Sequence, residues 1–186
     1  MWWARLLNQI AAIHGTGTPA VTNSYESIAT VTIGTAQSTI TFSSIPSTFK
    51  HLQVRGILQI SGGDTEAKLT LNGDSTSSNY ATHQLLGDGS TTYGLATANS
   101  GFIKTGITNS TANIFGAMVV DILDYANTSK NKTVRTLTGI DLNGNGNIRL
   151  ASGFWNSTTA TTSLTFTASS GNFNQYSSFA LYGIKG

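Results

Sequence analysis

Along the first thirteen residues, MWWARLLNQIAAI, apolar side chains recur at three- and four-residue steps (Trp3, Leu6 or Leu7, Ile10, Ile13), with Arg5, Asn8 and Gln9 on the other side. That spacing predicts an amphipathic helix over residues 1–14. Gly15 stands where helices end, and Gly17 and Pro19 block continuation, so residues 15–23 read as a linker. From residue 24 onward the period changes to two. Ala29, Val31 and Ile33 alternate with Thr30 and Thr32, and Leu52, Val54, Leu58 and Ile60 alternate with Gln53, Arg55 and Gln59, with Ile57 breaking the polar side. Similar runs are Thr39 to Phe42, Lys68 to Leu71, Thr133 to Leu137, Ile148 to Leu150, Leu164 to Ala168 and Phe179 to Ile184. Each predicts a strand with one buried and one wet face. Ile114 to Leu123 is more continuously apolar and predicts a central strand covered on both faces.

Asn72-Gly73-Asp74, Gly87-Asp88-Gly89 and Asn143-Gly144-Asn145-Gly146 supply turn chemistry between these runs. Eight to ten short strands at this spacing predict an all-β domain over residues 24–186, an antiparallel β-sandwich of jelly-roll type preceded by the N-terminal helix. Residues 73–111, rich in Ser, Thr, Asn and Gly, read as long outer loops with one or two short strands.

Composition agrees. Nearly half of the 186 residues are Ser, Thr, Asn or Gly, while charged residues make up 10% and hydrophobic ones 39%. That is enough apolar material for a core, with little to build a helical bundle or a parallel α/β sheet. The net charge is +2. Lys130, Lys132 and Arg135 form the one local basic cluster, too thin for the phosphate contacts of a nucleic-acid binder, and read as a solvated loop. There is no cysteine, hence no disulfide framework.

The first thirteen residues fit neither a signal peptide, interrupted as they are by Arg5 and Asn8, nor a transmembrane helix, for which they are too short. No membrane insertion is expected. A docking helix remains, placing Trp2, Trp3, Leu6, Leu7, Ile10 and Ile13 in a groove on a partner or on sister copies. Folding back onto the chain's own β-domain is the alternative.

No enzyme motif emerges, and no catalytic residue, metal ligand or cofactor is assigned. Asp141-Leu142-Asn143-Gly144-Asn145-Gly146-Asn147 opens like a calcium loop, but Ser152 stands where the closing acid belongs, so a hairpin turn is the better reading. Asp64 with Glu66, and Asp121 with Asp124, read as turn or surface acids rather than a glycosidase pair. His14, His51 and His83 are too scattered for a ligand set, and the sequons at Asn109, Asn127, Asn131 and Asn156 follow from composition. Tyr80, Tyr93, Phe102, Trp155, Phe173 and Tyr176 lie in or beside loop-like stretches. With Asn and Asp nearby they suit a sugar-binding surface, Tyr80, Tyr93 and Trp155 being the candidate glycan contacts. Packing in a core or subunit interface is the other reading, and the favoured one for each residue taken singly.

The segment Tyr25-Glu26-Ser27-Ile28-Ala29-Thr30-Val31-Thr32, the segment from Ile40-Thr41-Phe42 through Ile45-Pro46 and Phe49-Lys50-His51 to Val54-Arg55-Gly56, and the closing Ser178-Phe179-Ala180-Leu181-Tyr182-Gly183-Ile184-Lys185-Gly186 resemble small virion proteins of tailed bacteriophages. The likeness extends over nearly the whole chain, including the short apolar start ending near His14-Gly15. It implies a jelly-roll-like, oligomeric and non-catalytic protein located on the virion and assembled in the host cytoplasm. It carries no site residues, because its motifs are strand and turn sequences. The expectation is a capsid decoration protein whose helix docks on other virion proteins, as a homo-oligomer and, from appendage geometry, a homotrimer. A tail fibre or adhesin that recognises host surface glycan is the alternative.

Overall fold

The computed structural model describes residues 23–62 and 66–186. The helix expected over residues 1–14 and the linker before Asn23 lie outside them. Twelve strands follow: β1 (Tyr25–Thr32), β2 (Thr39–Phe42), β3 (His51–Leu58), β4 (Glu66–Leu71), β5 (Tyr80–Gly87), β6 (Thr92–Ala98), β7 (Ile103–Ile107), β8 (Gly116–Leu123), β9 (Lys132–Asp141), β10 (Gly146–Trp155), β11 (Leu164–Ala168) and β12 (Ser178–Ile184). One short 3-10 turn, Ser77–Asn79, precedes β5.

The strands form two sheets in which every pairing is antiparallel. The wide sheet has the order β1-β12-β3-β8-β9-β10-β5-β6 and the narrow one β2-β11-β4-β7. The chain crosses repeatedly between them: β1, β3, β8 and β12 lie in the wide sheet, and β2, β4, β7 and β11 in the narrow one. These eight strands make a frame of two four-stranded halves. The hairpins β5–β6, inserted between β4 and β7, and β9–β10, inserted between β8 and β11, extend only the wide sheet.

Alternation explains the narrow sheet. Ile40 and Phe42 of β2, Leu69 and Leu71 of β4, and Leu164 and Phe166 of β11 are buried, while the threonines between them face outward. From the other layer Leu52, Val54, Val120, Ile122, Phe179 and Leu181 complete one apolar cluster. Its centre is aromatic: Phe179 lies 5.4 Å from Phe166 and 5.2 Å, edge-on, from Phe173. Tyr125, fully buried, donates its hydroxyl to the Pro46 carbonyl and ties the end of β8 to the loop before β3.

Two expectations are corrected here. β8 is central, but only Gly116, Met118, Val120 and Ile122 are buried; Ala117, Val119, Asp121 and Leu123 keep solvent contact, because no layer of the described residues covers the outer side of the wide sheet. Residues 73–111 hold three strands, not loops with one or two. Their low β propensity is overridden by pairing, β5 running against β10 from Tyr80 to Gly87 and β6 closing the edge.

Candidate functional site

The two inserted hairpins carry the surface that the frame does not account for. Of the large hydrophobic side chains exposed among the described residues, Leu85, Tyr93, Leu95, Leu137, Ile148, Leu150 and Phe154 lie on β5, β6, β9 or β10. Ile57, Tyr25 and Tyr176 are the others.

Register aligns them. On the outer face Leu85 of β5 stands opposite Leu150 of β10, Leu150 opposite Leu137 of β9, and Leu137 opposite Val119 of β8. With neighbouring strands about 4.8 Å apart, these four form a continuous apolar ridge about 15 Å long. Two residues along each strand the next row reads Gly87, Ile148, Gly139, Ala117. Here two glycines and an alanine leave a furrow. It belongs to an open depression of about 560 Å³ lined by Ala117, Val119, Leu137, Gly139 and Ile148.

On β3 both rows reach Arg55 and Ile57, opposite Val119 and Ala117. The Arg55 guanidinium lies 5.6 Å from the ring centroids of both Tyr25 and Tyr182. On the other side of the ridge runs a polar row: His83, Ser152, Arg135, Asp121 and Gln53. Gln53 Nε2 donates to Asp121 Oδ1 at 2.8 Å, and Arg135 Nη2 is 3.8 Å from Asp121 Oδ2.

The magnitude sets this face apart from the rest of the described surface. Ile57, Leu85, Leu137, Ile148 and Leu150 are each between 49% and 59% exposed. At about 1.5–3 kcal/mol for burying such a side chain fully, about 4–8 kcal/mol of favourable burial is left unrealised on one contiguous face. Scattered exposed aliphatics are ordinary; aligned ones mark contact surfaces.

β10 shows how the chain produces this arrangement. Its large aliphatics, Ile148 and Leu150, face water, and Arg149, Ala151, Gly153 and Trp155 face inward. Trp155 sets the register. Its ring stacks on Tyr80 at 6.4 Å and its Nε1 donates to Asp74 Oδ2 at 2.7 Å. Gly153 leaves room for Ile103 of β7, since a Cβ there would meet Ile103 Cγ2 at 2.5 Å. Arg149 is drawn inside by Glu66, which also pairs with Lys104 Nζ at 2.9 Å. Burial pushes the Glu66 carboxyl up, but the Lys104 and Arg149 hydrogen bonds and charges outweigh it and hold it below the usual range.

Two of the expected glycan contacts are corrected. Tyr80 is 1% and Trp155 3% exposed, locked against each other in the core, and neither offers a face to a sugar. Phe173 is fully buried as well. Tyr93 stays on the surface at 44% exposure, on the edge strand β6. Tyr176 is the most exposed aromatic among the described residues, at 70%, with φ at +72°. It borders a depression of about 500 Å³ lined also by Gln59, Asn113, Asn174 and Gln175. There Asn174 Nδ2 donates to Gln59 Oε1 at 2.8 Å, and Gln59 Nε2 donates to the carbonyls of Thr111 and Ile114. The docking residues Trp2, Trp3, Leu6, Leu7, Ile10 and Ile13, with His14 and Asp64, lie outside the described residues.

The calcium-like segment is a hairpin turn between β9 and β10, as expected; Asp141 Oδ1 accepts the Asn143 amide at 2.7 Å. Among the described residues no three His, Cys, Asp or Glu side chains gather closely enough to hold a metal. Asp121 points outward, and Asp124, in the turn after β8, pairs with Lys50 at 3.4 Å and with Lys130. Lys132 departs from the solvated-loop reading: it is 1% exposed, its ammonium donating to the carbonyls of Asn127, Lys130 and Thr158 at 2.7, 3.0 and 3.2 Å. Among the described residues no helix is long and apolar enough to cross a membrane.

Sequence reasoning missed Leu85, Leu137 and Leu150 as surface residues. The available signal was conflict between neighbours: Ile148 and Leu150 claim one face of β10 while Trp155 claims the other. Compared with protein-family models, curated proteins and solved structures, the chain matches none.

Proposed function

We propose that this chain is a non-catalytic structural protein of a tailed-bacteriophage virion, a head decoration or appendage protein that works by assembly. The observation that carries the reading is the apolar ridge and furrow on the outer face of the two inserted hairpins. A face of this kind on a chain so poor in charge has a use in contact with other protein. The strand order lends support. The order β1-β12-β3-β8 over β2-β11-β4-β7 is the connectivity of a jelly roll, an architecture of viral capsid and lectin domains. The residues that resemble phage virion proteins fall on β1, on β2 through β3, and on β12, all strands of that frame. Residues 1–13 serve as the attachment peg to other virion proteins, and many copies on one particle make individually weak contacts effective.

The test is cryo-electron microscopy of intact particles from the phage that encodes the chain. The expected result is repeated density for the domain on the head, with the β5–β10–β9 face against protein. Particles that lack the chain overturn the reading. A particle population made with residues 1–13 deleted is expected to lose most of its bound copies; full occupancy refutes the peg.

A receptor-binding role at a tail fibre is the second reading, favoured by one observation: Tyr176 standing over amide side chains in an open depression, the chemistry of sugar recognition. It predicts that the purified chain binds host cells and that Tyr176→Ala weakens binding at least tenfold while Tyr93→Ala has a smaller effect. No binding to host surface removes it.

A further inference from the structure

We propose that the ridge face is closed by a second copy of this chain, docked face to face about a two-fold axis that runs across the strands between the Leu137 row and the Gly139 row. The inference deepens the assembly reading above and rests on the same ridge, but it concerns the protein's own pairing and stands whether or not the chain is found on a virion.

The register itself supplies the argument. A two-fold axis lying across the strands, level with Thr138 of β9, sets each strand antiparallel over its own copy. Residues equidistant from the axis then face one another. Leu137 meets the partner's Gly139, Leu85 meets the partner's Gly87, and Val119 meets the partner's Ala117. Leu150 and the partner's Ile148 meet large against large, as do Arg55 and the partner's Ile57 on β3. Ridge therefore enters furrow twice, once on each side of the axis.

Charge follows the same symmetry. Arg135 lies three residues before Thr138 and Asp141 three after, and both point outward from β9. Each Arg135 thus stands over the partner's Asp141, within reach of the long side chain even with the angle of about 30° at which twisted sheets pack. Two equivalent ion pairs flank the apolar centre, and the Arg55 guanidinium, the charge beside the axis on β3, is held over the Tyr25 and Tyr182 rings. The area is adequate: eight strands about 4.8 Å apart, running seven to ten residues at about 3.3 Å each, give a face of about 38 by 23 Å where the strands are shortest, against roughly 800 Å² per partner in a stable complex.

Sedimentation of the full chain tests this. Wild type is expected to be a dimer at low micromolar concentration. Leu137→Asp is expected to raise the dissociation constant more than 100-fold, with the circular dichroism spectrum unchanged; should that variant fail to fold, Leu150→Lys takes its place. Gly87→Val adds apolar surface yet is expected to weaken pairing about tenfold, because it fills the furrow; its Cβ meets nothing among the described residues closer than 3.6 Å. Arg135→Glu is expected to weaken pairing about tenfold, and adding Asp141→Arg to restore it, a rescue that the contact between Arg135 and Asp121 within one chain cannot produce. Leu95→Asp, on the far edge and the opposite face, leaves the dimer intact. A full chain that is monomeric at about 100 µM, an oligomer of any size indifferent to Leu137→Asp, or a charge reversal without rescue each overturns the proposal.

Discussion

Asp74 holds together a corner that would otherwise be open. Its carboxylate accepts from Trp155 Nε1 at 2.7 Å, Asn79 Nδ2 at 2.8 Å and the Thr76 amide at 2.9 Å, and its backbone carbonyl accepts from the Tyr80 hydroxyl at 2.9 Å. The Trp155 indole above all, then Asn79, holds the Asp74 carboxyl well below the usual carboxylate range. Asp74→Asn keeps the shape but loses the charge, and is expected to cost about 1.5–3 kcal/mol in urea unfolding at pH 7. A depressed folded-state value means that the stabilisation is present above the unfolded value of about 4 and fades as pH falls toward the folded one. Wild type should therefore lose stability between about pH 4 and pH 2 more steeply than Asp74→Asn. The same contact explains why two aromatics were misplaced from sequence. Tyr80 and Trp155 sit beside polar runs that look like loop, and the acid that pins Trp155 inside is 81 residues away in the chain.

Strands whose two faces differ sharply were legible. β2 and β11 have the bounds that alternation gives them, because threonine outside and Leu, Ile or Phe inside leave one choice of face. β10 was legible as a strand and illegible in its facing: Arg149 goes inward to Glu66 and Ile148 outward, a choice made by partners on β4 and β5 rather than by local hydropathy. β5 and β6 were legible only as polar sequence, since what makes them strands is β10 beside them. Close packing across the layers also depends on residues with no pattern of their own. Gly153→Ala drives a methyl into Ile103 and is expected to cost about 1–3 kcal/mol in thermal unfolding, with the oligomeric state unchanged because the outer face is untouched.

For the molecule as a whole, the all-β class and most of the frame strands follow from hydrophobic patterning and turn chemistry; β7, inside the stretch read as loops, does not. The apolar ridge does not follow from that patterning. It emerges only when Leu85, Leu150, Leu137 and Val119, scattered over 66 positions of chain, are brought into one line by three strand pairings. The expectation of three copies rested on appendage geometry; the two-fold pairing proposed above rests on the register of the outer face.

Both added hairpins leave the frame and rejoin it at neighbouring strand ends, β4 to β7 and β8 to β11. Residues 72–102 and 124–163 are thus cassettes plugged into the frame, their main footholds in its core being Tyr80, Tyr125, Val134 and Trp155. A transplant that preserves those footholds would exchange one exposed face for another and leave the eight-strand scaffold beneath unchanged.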